Sequence, residues 1–156
     1  MFFKLSETVE NVKSINDGWV SEKPGIKYSL VHIDKSQGLW VTKVRFDAGV
    51  VIPAHLHTGQ VIGFTTAGKW GYPKDNIFFT EGDYCYEPAG TFHEVEIPKD
   101  NKVITEAIFL LWGALITFED NSSTIIKEYS DATTIENEYI TLCKEHNVQP
   151  TDYIVK

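Results

Sequence analysis

The stretch Gly49-Val50-Val51-Ile52-Pro53-Ala54-His55-Leu56-His57 decides how this chain is read. Two histidines stand one residue apart among β-branched and small residues. In an extended strand alternate side chains share a face, so both imidazoles point the same way. A second segment, Gly82-Asp83-Tyr84-Cys85-Tyr86-Glu87-Pro88-Ala89-Gly90-Thr91-Phe92-His93, delivers a third histidine just past a turn. Pro88 presets its own φ, and Gly90 is free to take a conformation closed to other residues, so the turn aims the strand that carries His93. Three neutral imidazoles suit Fe, Zn, Cu or Ni better than Mg or Ca. The expectation is a metal site at His55, His57 and His93.

Working outward, the chain from about residue 27 to 118 reads as many short strands. Tyr28 to Ile33, Leu39 to Phe46, Gln60 to Thr66, Ile77 to Thr80, Asp83 to Glu87, Phe92 to Ile97 and Lys102 to Leu111 are rich in β-branched and aromatic residues. Turn clusters such as Asp34-Lys35-Ser36-Gln37-Gly38 and Pro73-Lys74-Asp75-Asn76 separate them. Short strands at this spacing predict a sandwich or barrel. The tail changes period. Apolar residues at 135, 139, 142 and 143 predict a helix over about 133–146, with Thr133 and Glu136 as a capping box and Asn147 and Pro150 ending it. The helix is expected to pack on the outside of the barrel, with His146 a surface residue of its last turn. The whole chain, 1–156, is expected to be one domain.

Composition narrows the partners. Hydrophobic residues are 42% of the chain, which argues against disorder, and aromatic residues are 13%, which suits strands and a pocket for a flat organic ligand. The formal net charge is −8 with no dense Lys/Arg cluster, so no nucleic acid partner is expected. Cys85 and Cys143 do not make a disulfide framework. The first ten residues lack a signal-peptide pattern, and no apolar run approaches the roughly 18 residues that span a bilayer. A cytoplasmic protein with reduced thiols and no membrane partner is the expectation. No phosphate loop and no G-x-S-x-G elbow appears.

The two histidine segments resemble the paired motifs of the cupin superfamily, G-x5-H-x-H-x3-E-x6-G and G-x5-P-x-G-x2-H-x3-N. Gly49, His55, His57 and Gly68 fall in place in the first, and Gly82, Pro88, Gly90 and His93 in the second. Val61 stands at the glutamate position and Ile97 at the asparagine position. Agreement of the glycines and proline separates this pattern from a chance His-x-His in a β-domain. Within the superfamily, His55-Leu56-His57-Thr58-Gly59, Thr66-Ala67-Gly68-Lys69-Trp70-Gly71-Tyr72 and Tyr86-Glu87-Pro88-Ala89-Gly90-Thr91-Phe92-His93 resemble the 2,4′-dihydroxyacetophenone dioxygenase group and, more distantly, the acetylacetone-cleaving dioxygenases. The resemblance implies an all-β cupin jelly roll with a C-terminal helix, pairing into homodimers or homotetramers. It also implies Fe(II) at the three histidines, with O2 and a small organic molecule as substrates, and makes Glu87 a plausible group behind the metal ligands.

The missing acid has chemical consequences. Val61 can donate nothing to a metal, so a site of three histidines leaves the ion at full dipositive charge. Such a centre favours an anionic chelating substrate, for example the enolate of a diketone or hydroxyketone. Gln60 and Asp75 are the nearest polar candidates to complete the shell, neither at the motif position. Glu87 reads three ways: it accepts a histidine N–H, it is the base that enolises the substrate, or it is a solvated strand-end glutamate. Tyr84, Tyr86, Trp70, Tyr72, Phe64 and Phe92 are candidates for a pocket lining, although core packing is the commoner fate of such aromatics. Strand alternation puts Cys85 on the side of Asp83, opposite Tyr84, and Glu106 is either outward or a buried partner. The functional expectation is a non-haem Fe(II) dioxygenase cleaving a C–C bond beside a carbonyl, with Glu87 catalytic. The alternatives are a Zn-type non-redox cupin (isomerase or hydrolase) and a non-catalytic cupin that binds a small ligand.

Overall fold

A computed structural model describes residues 10–13, 15–119 and 124–156. The reading of the first residues as free of a leader falls largely on residues 1–9, outside the described ones. The described residues form strands β1 (Val20–Lys23), β2 (Ile26–Asp34), β3 (Leu39–Phe46), β4 (Val51–His57), β5 (Val61–Ala67), β6 (Lys69–Tyr72), β7 (Ile77–Thr80), β8 (Tyr84–Glu87), β9 (Phe92–Glu96), β10 (Thr105–Trp112), β11 (Leu115–Phe118), β12 (Ile126–Ser130) and β13 (Ile154–Val155), and helix α1 (Ala132–Glu145). One sheet runs β1-β2-β3-β10-β5-β8, with β13 added on β2, and the other runs β12-β11-β4-β9-β6-β7. Strands are also found outside the span 27 to 118, at β1, β12 and β13. No helix among the described residues is long and apolar enough to cross a membrane.

The two sheets enclose the apolar rows that alternation predicts. Cross-strand partners share a face. On the first sheet Trp40, Leu111, Val61 and Glu87 therefore form one inward row, and Thr42, Phe109, Gly63 and Cys85 the next. Gly63 is needed for shape: a Cβ there would lie 2.9 Å from the Phe109 ring. The opposite face of the same strands carries Phe64, Tyr84 and Tyr86, which are exposed, as is Phe92 on the other sheet. These four do not line the cavity beside the histidines. Trp70 and Tyr72 turn inward and are buried. Glu106 lies on the outer face and binds Lys43 at 2.9 Å and Arg45 at 2.7 Å.

Helix α1 does not lie on the outside of the barrel. A bulge in β2 between Leu30 and His32 lets Leu30 and Ile33 face the same side as Tyr28, the side shared with Thr42 and Trp40. Ile135, Tyr139 and Cys143 of α1 pack into that cluster. The helix packs against β1, β2 and β3 of the first sheet and β12 of the second. Tyr139 is fully buried, and its hydroxyl donates to the Gly18 carbonyl and accepts from Thr151 N–H. The capping box is built by Asp131 and Thr134 rather than Thr133 and Glu136. The Asp131 carboxylate accepts from the N–H groups of Thr133 and Thr134, because a short acid one turn upstream reaches both unsatisfied donors. Asn147, at φ 53°, closes the C-terminal end.

Candidate metal centre

Register alone brings the imidazoles together. His55 of β4 is the direct cross-strand partner of His93 of β9, and His57 follows two residues on. Between Ile52 and His55 the pairing shifts, so one extra residue sits in β4. Without that bulge Ile52 and His55 would face opposite sides; with it both reach the cavity. Pro53, which has no N–H to give a ladder, occupies the irregularity, and its carbonyl lies 2.8 Å from His55 Nδ1. The Pro88-Ala89-Gly90 turn is clipped to β4: Gly90, at φ +86°, donates its N–H to the His57 carbonyl at 2.8 Å, and His57 donates to the Thr91 carbonyl at 2.9 Å.

The three rings stand with centroids 4.6–5.3 Å apart and close to edge-on. The Nε2 atoms of His55 and His93 are 3.0 Å apart, and the candidate ligand atoms of all three histidines lie within 4.8 Å of one another. Burial holds His57 and His93 down to about 3, with the neighbouring imidazoles adding repulsion, and burial also lowers His55. The rings are therefore neutral at physiological pH, the form that binds a metal.

Glu87 completes the group. It is buried on β8 directly across from Val61 of β5, so its carboxylate enters the side of the cavity where the absent motif acid would have pointed. One oxygen, Oε1, accepts the Tyr72 hydroxyl, and Tyr72 stacks on His93 with centroids 4.5 Å apart. The other, Oε2, makes no hydrogen bond, is buried, and lies 3.3 Å from His57 Nε2 and 3.5 Å from His93 Nε2. The contact is with the inward nitrogens, not the outward N–H groups. Burial pushes Glu87 up to about 7, against the lowering pull of its bonds from Tyr72 and Cys85. With neutral imidazoles beside it, the approach is no ion pair. An orphaned carboxylate oxygen among three neutral nitrogens is instead a donor set that fits a cation. Ligands at about 2.1 Å from an ion are separated by roughly 3.0–3.4 Å at right-angle to tetrahedral spacing, and the His55–His93 Nε2 separation of 3.0 Å and the approaches of Oε2 to His57 and His93 at 3.3 and 3.5 Å are close to that size.

Cys85 lies behind this group, 3.7 Å from the Tyr72 oxygen, and burial raises its thiol to about 12. It is neutral and no nucleophile. Gln60 and Asp75 are exposed and absent from the cavity wall, so neither joins the shell. The sequence pointed to Tyr72 only as an aromatic; its part in holding Glu87 follows from β6 lying beside β9.

The histidines and Glu87 open on a cavity of about 150 Å³ walled by Trp40, Val44, Phe46, Phe109, Leu111 and other apolar side chains. It continues into a mouth of about 420 Å³ that shares Trp40, Thr42 and Leu115 and adds Lys23, Lys127, Glu128 and Ile135.

Comparison with known proteins places this geometry. Residues 8–115 match the family model described as the ChrR cupin-like domain. A protein of unknown function with a cupin-like fold from Ralstonia eutropha is 28% identical, with a TM-score of 0.86 over 99% of this chain and 96% of its own. An RmlC-like cupin from the same organism is 24% identical, with a TM-score of 0.82 over 93% of each chain. An acetylacetone dioxygenase from Acinetobacter johnsonii is 18% identical, with a TM-score of 0.72 over 91% of this chain and 96% of its own. None of the curated proteins matches the sequence. The fold is the cupin jelly roll, and the neighbours include the dioxygenase group.

Proposed function

This chain belongs to the ChrR cupin-like domain family, and from that premise we propose that it is a non-haem Fe(II) dioxygenase cleaving a C–C bond beside a carbonyl in a diketone or hydroxyketone. The observation that carries the reading is the convergence of three buried neutral imidazoles and one orphaned carboxylate oxygen at the foot of an apolar cavity. His55, His57 and His93 hold the ion, and Zn, Ni or Cu would satisfy the same nitrogens. When bound, the ion polarises the substrate oxygens and supplies the redox chemistry with O2.

The chain's own residues do the rest. Glu87 Oε2 faces the cavity and accepts the proton from the carbon between the carbonyls of a β-diketone, or from the hydroxyl-bearing carbon of a hydroxyketone, leaving an enolate. Tyr72 holds Oε1, so the free oxygen is the one that faces the substrate. Its ring, stacked on His93, fixes that imidazole. The apolar wall excludes water and favours a substrate with a hydrocarbon body. For a β-diketone the balance is one O2 consumed and the skeleton cut in two, giving a carboxylic acid and a ketoaldehyde. The test is oxygen uptake by ferrous-loaded protein with acetylacetone and benzoylacetone, with products identified by mass. Uptake that matches product one to one supports the reading; no uptake with any diketone or hydroxyketone refutes it.

One observation favours a second reading. Glu87 Oε2 sits where it would close a four-ligand shell, the arrangement zinc takes in closed sites. A shell closed by Glu87 leaves no open position and favours a small-ligand binder; with Glu87 off the ion, the three histidines leave the open position that a zinc-loaded isomerase or hydrolase needs. Activity that persists in the absence of oxygen with zinc selects the isomerase or hydrolase, and tight ligand binding without turnover selects the binder.

A further inference from the structure

Buried hydroxyls in this molecule are mostly spoken for. Thr65 Oγ1 accepts the Trp70 indole N–H at 2.8 Å, Thr105 Oγ1 donates to the Lys69 carbonyl at 3.0 Å, and Thr151 Oγ1 donates to the Leu30 carbonyl at 2.6 Å. Two buried hydroxyls make no hydrogen bond among the described residues: that of Ser29, which is sealed on β2 away from the cavity, and that of Thr42, whose residue is 4% exposed. Thr42 lines the inner cavity and also the mouth, so it stands where the two meet. The cavity's other polar atoms outside the histidine–glutamate cluster are already used: the Trp40 indole N–H donates to the Gly113 carbonyl at 3.0 Å, and that of Trp70 to Thr65. Thr42 therefore presents the free hydrogen-bonding group of an otherwise apolar wall.

Its position is set by the sheet. Thr42 pairs with Phe109 on β10 and with Leu30 on β2, in the row adjoining that of Val61 and Glu87. Three strand spacings separate β3 from β8, about 14 Å measured along the curved sheet. Glu87 and Thr42 thus occupy opposite flanks of one apolar space. The Thr42 oxygen is not among the sealed unpartnered atoms, so it is open to the cavity, where a ligand can pair it.

We propose that Thr42 is a specificity-determining residue, and that its hydroxyl reads a hydroxyl or carbonyl carried on the far end of the substrate's apolar body. The ligand class is then bifunctional: a chelating pair of oxygens at one end, hydrocarbon between, and one uncharged polar group at the other. This rests on the reading of the histidine cluster as the place where the chelating oxygens bind.

The test measures binding separately from turnover. Ferrous-loaded protein is titrated without oxygen against benzoylacetone and its meta- and para-hydroxyl forms, following the fluorescence of Trp40 and Trp70, which line the cavity. The wild-type protein is expected to bind one hydroxylated form about tenfold more tightly than benzoylacetone. Thr42→Val removes that preference while leaving the affinity for benzoylacetone within about twofold, and Thr42→Ser, which keeps the oxygen, restores it. The melting temperature of Thr42→Val without ligand is expected to match or exceed that of the wild type, which separates lost recognition from lost folding. The proposal is overturned by a preference that survives in Thr42→Val, by none in the wild type, or by failure of all three compounds to bind. Intact discrimination without oxygen uptake on aeration would sink the dioxygenase reading and leave Thr42 standing; uptake without discrimination does the reverse.

Discussion

At one flank of the cavity, Glu87, Tyr72, Cys85 and the three imidazoles are buried, stacked and mutually braced; at the other, Lys23 and Glu128 meet in an ion pair whose side chains are 44% and 38% exposed, with Lys127 exposed beside them. The first flank is built from register: β4, β9, β8 and β6 place these six side chains with no loop between them and the site. The second is built from short, charged strands and the face of α1. The contrast teaches where rigidity is spent. On the function proposed above, groups that bind or take a proton must be held within fractions of an ångström, while the mouth would only have to let a small molecule through.

Breaking the braced flank should have the largest effect. Replacing His55, His57 or His93 with Ala is expected to remove most of the bound metal, measured by elemental analysis of the purified variant. Full retention by all three would end the assignment. Next comes Glu87→Gln, which keeps the shape and the Tyr72 contact but not the charge. Oxygen uptake should drop about a hundredfold or more, and Tyr72→Phe should fall between this variant and the wild type. If Glu87→Gln retains wild-type turnover, Glu87 is a wall residue only. The open flank should be the least sensitive. Lys23→Ala and Glu128→Ala are each expected to change stability by no more than about 1 kcal/mol, since exposed ion pairs contribute little, and to leave metal content untouched. A loss of metal in either would erase the distinction between the flanks.

Much of the braced flank was legible in the sequence. Alternation gave β3 its full bounds of Leu39–Phe46 and β7 those of Ile77–Thr80, because aromatic and β-branched residues crowd both. The histidine spacing named the three residues that converge, and Glu87 stood out by its place before Pro88. Its relation to Val61 was not legible. Nothing in a linear chain says that residue 61 lies opposite residue 87; that is fixed by the β5–β8 register, which depends on the whole sheet. The open flank was read worst. β1 (Val-Ser-Glu-Lys) and β12 (Ile-Lys-Glu-Tyr-Ser) are short and charged, as edge strands often are, and carry little strand signal. The helix was placed on the wrong face because its apolar stripe specifies burial but not against which side of which sheet. The cap missed by two residues, since Thr133 and Asp131 both fit an N-terminal signature and only the fold chooses.

The extra residue at Pro53 has a genetic corollary. Deleting a single codon there would leave Ile52 and His55 two residues apart, matching Val95 and His93, so each would keep its partner and its inward side. The vessel would keep its outline and its floor would keep the nitrogens. Loss of the Leu56 codon is the opposite case: it would make His55 and His57 neighbours on the strand and turn them to opposite sides, with no substitution of any histidine.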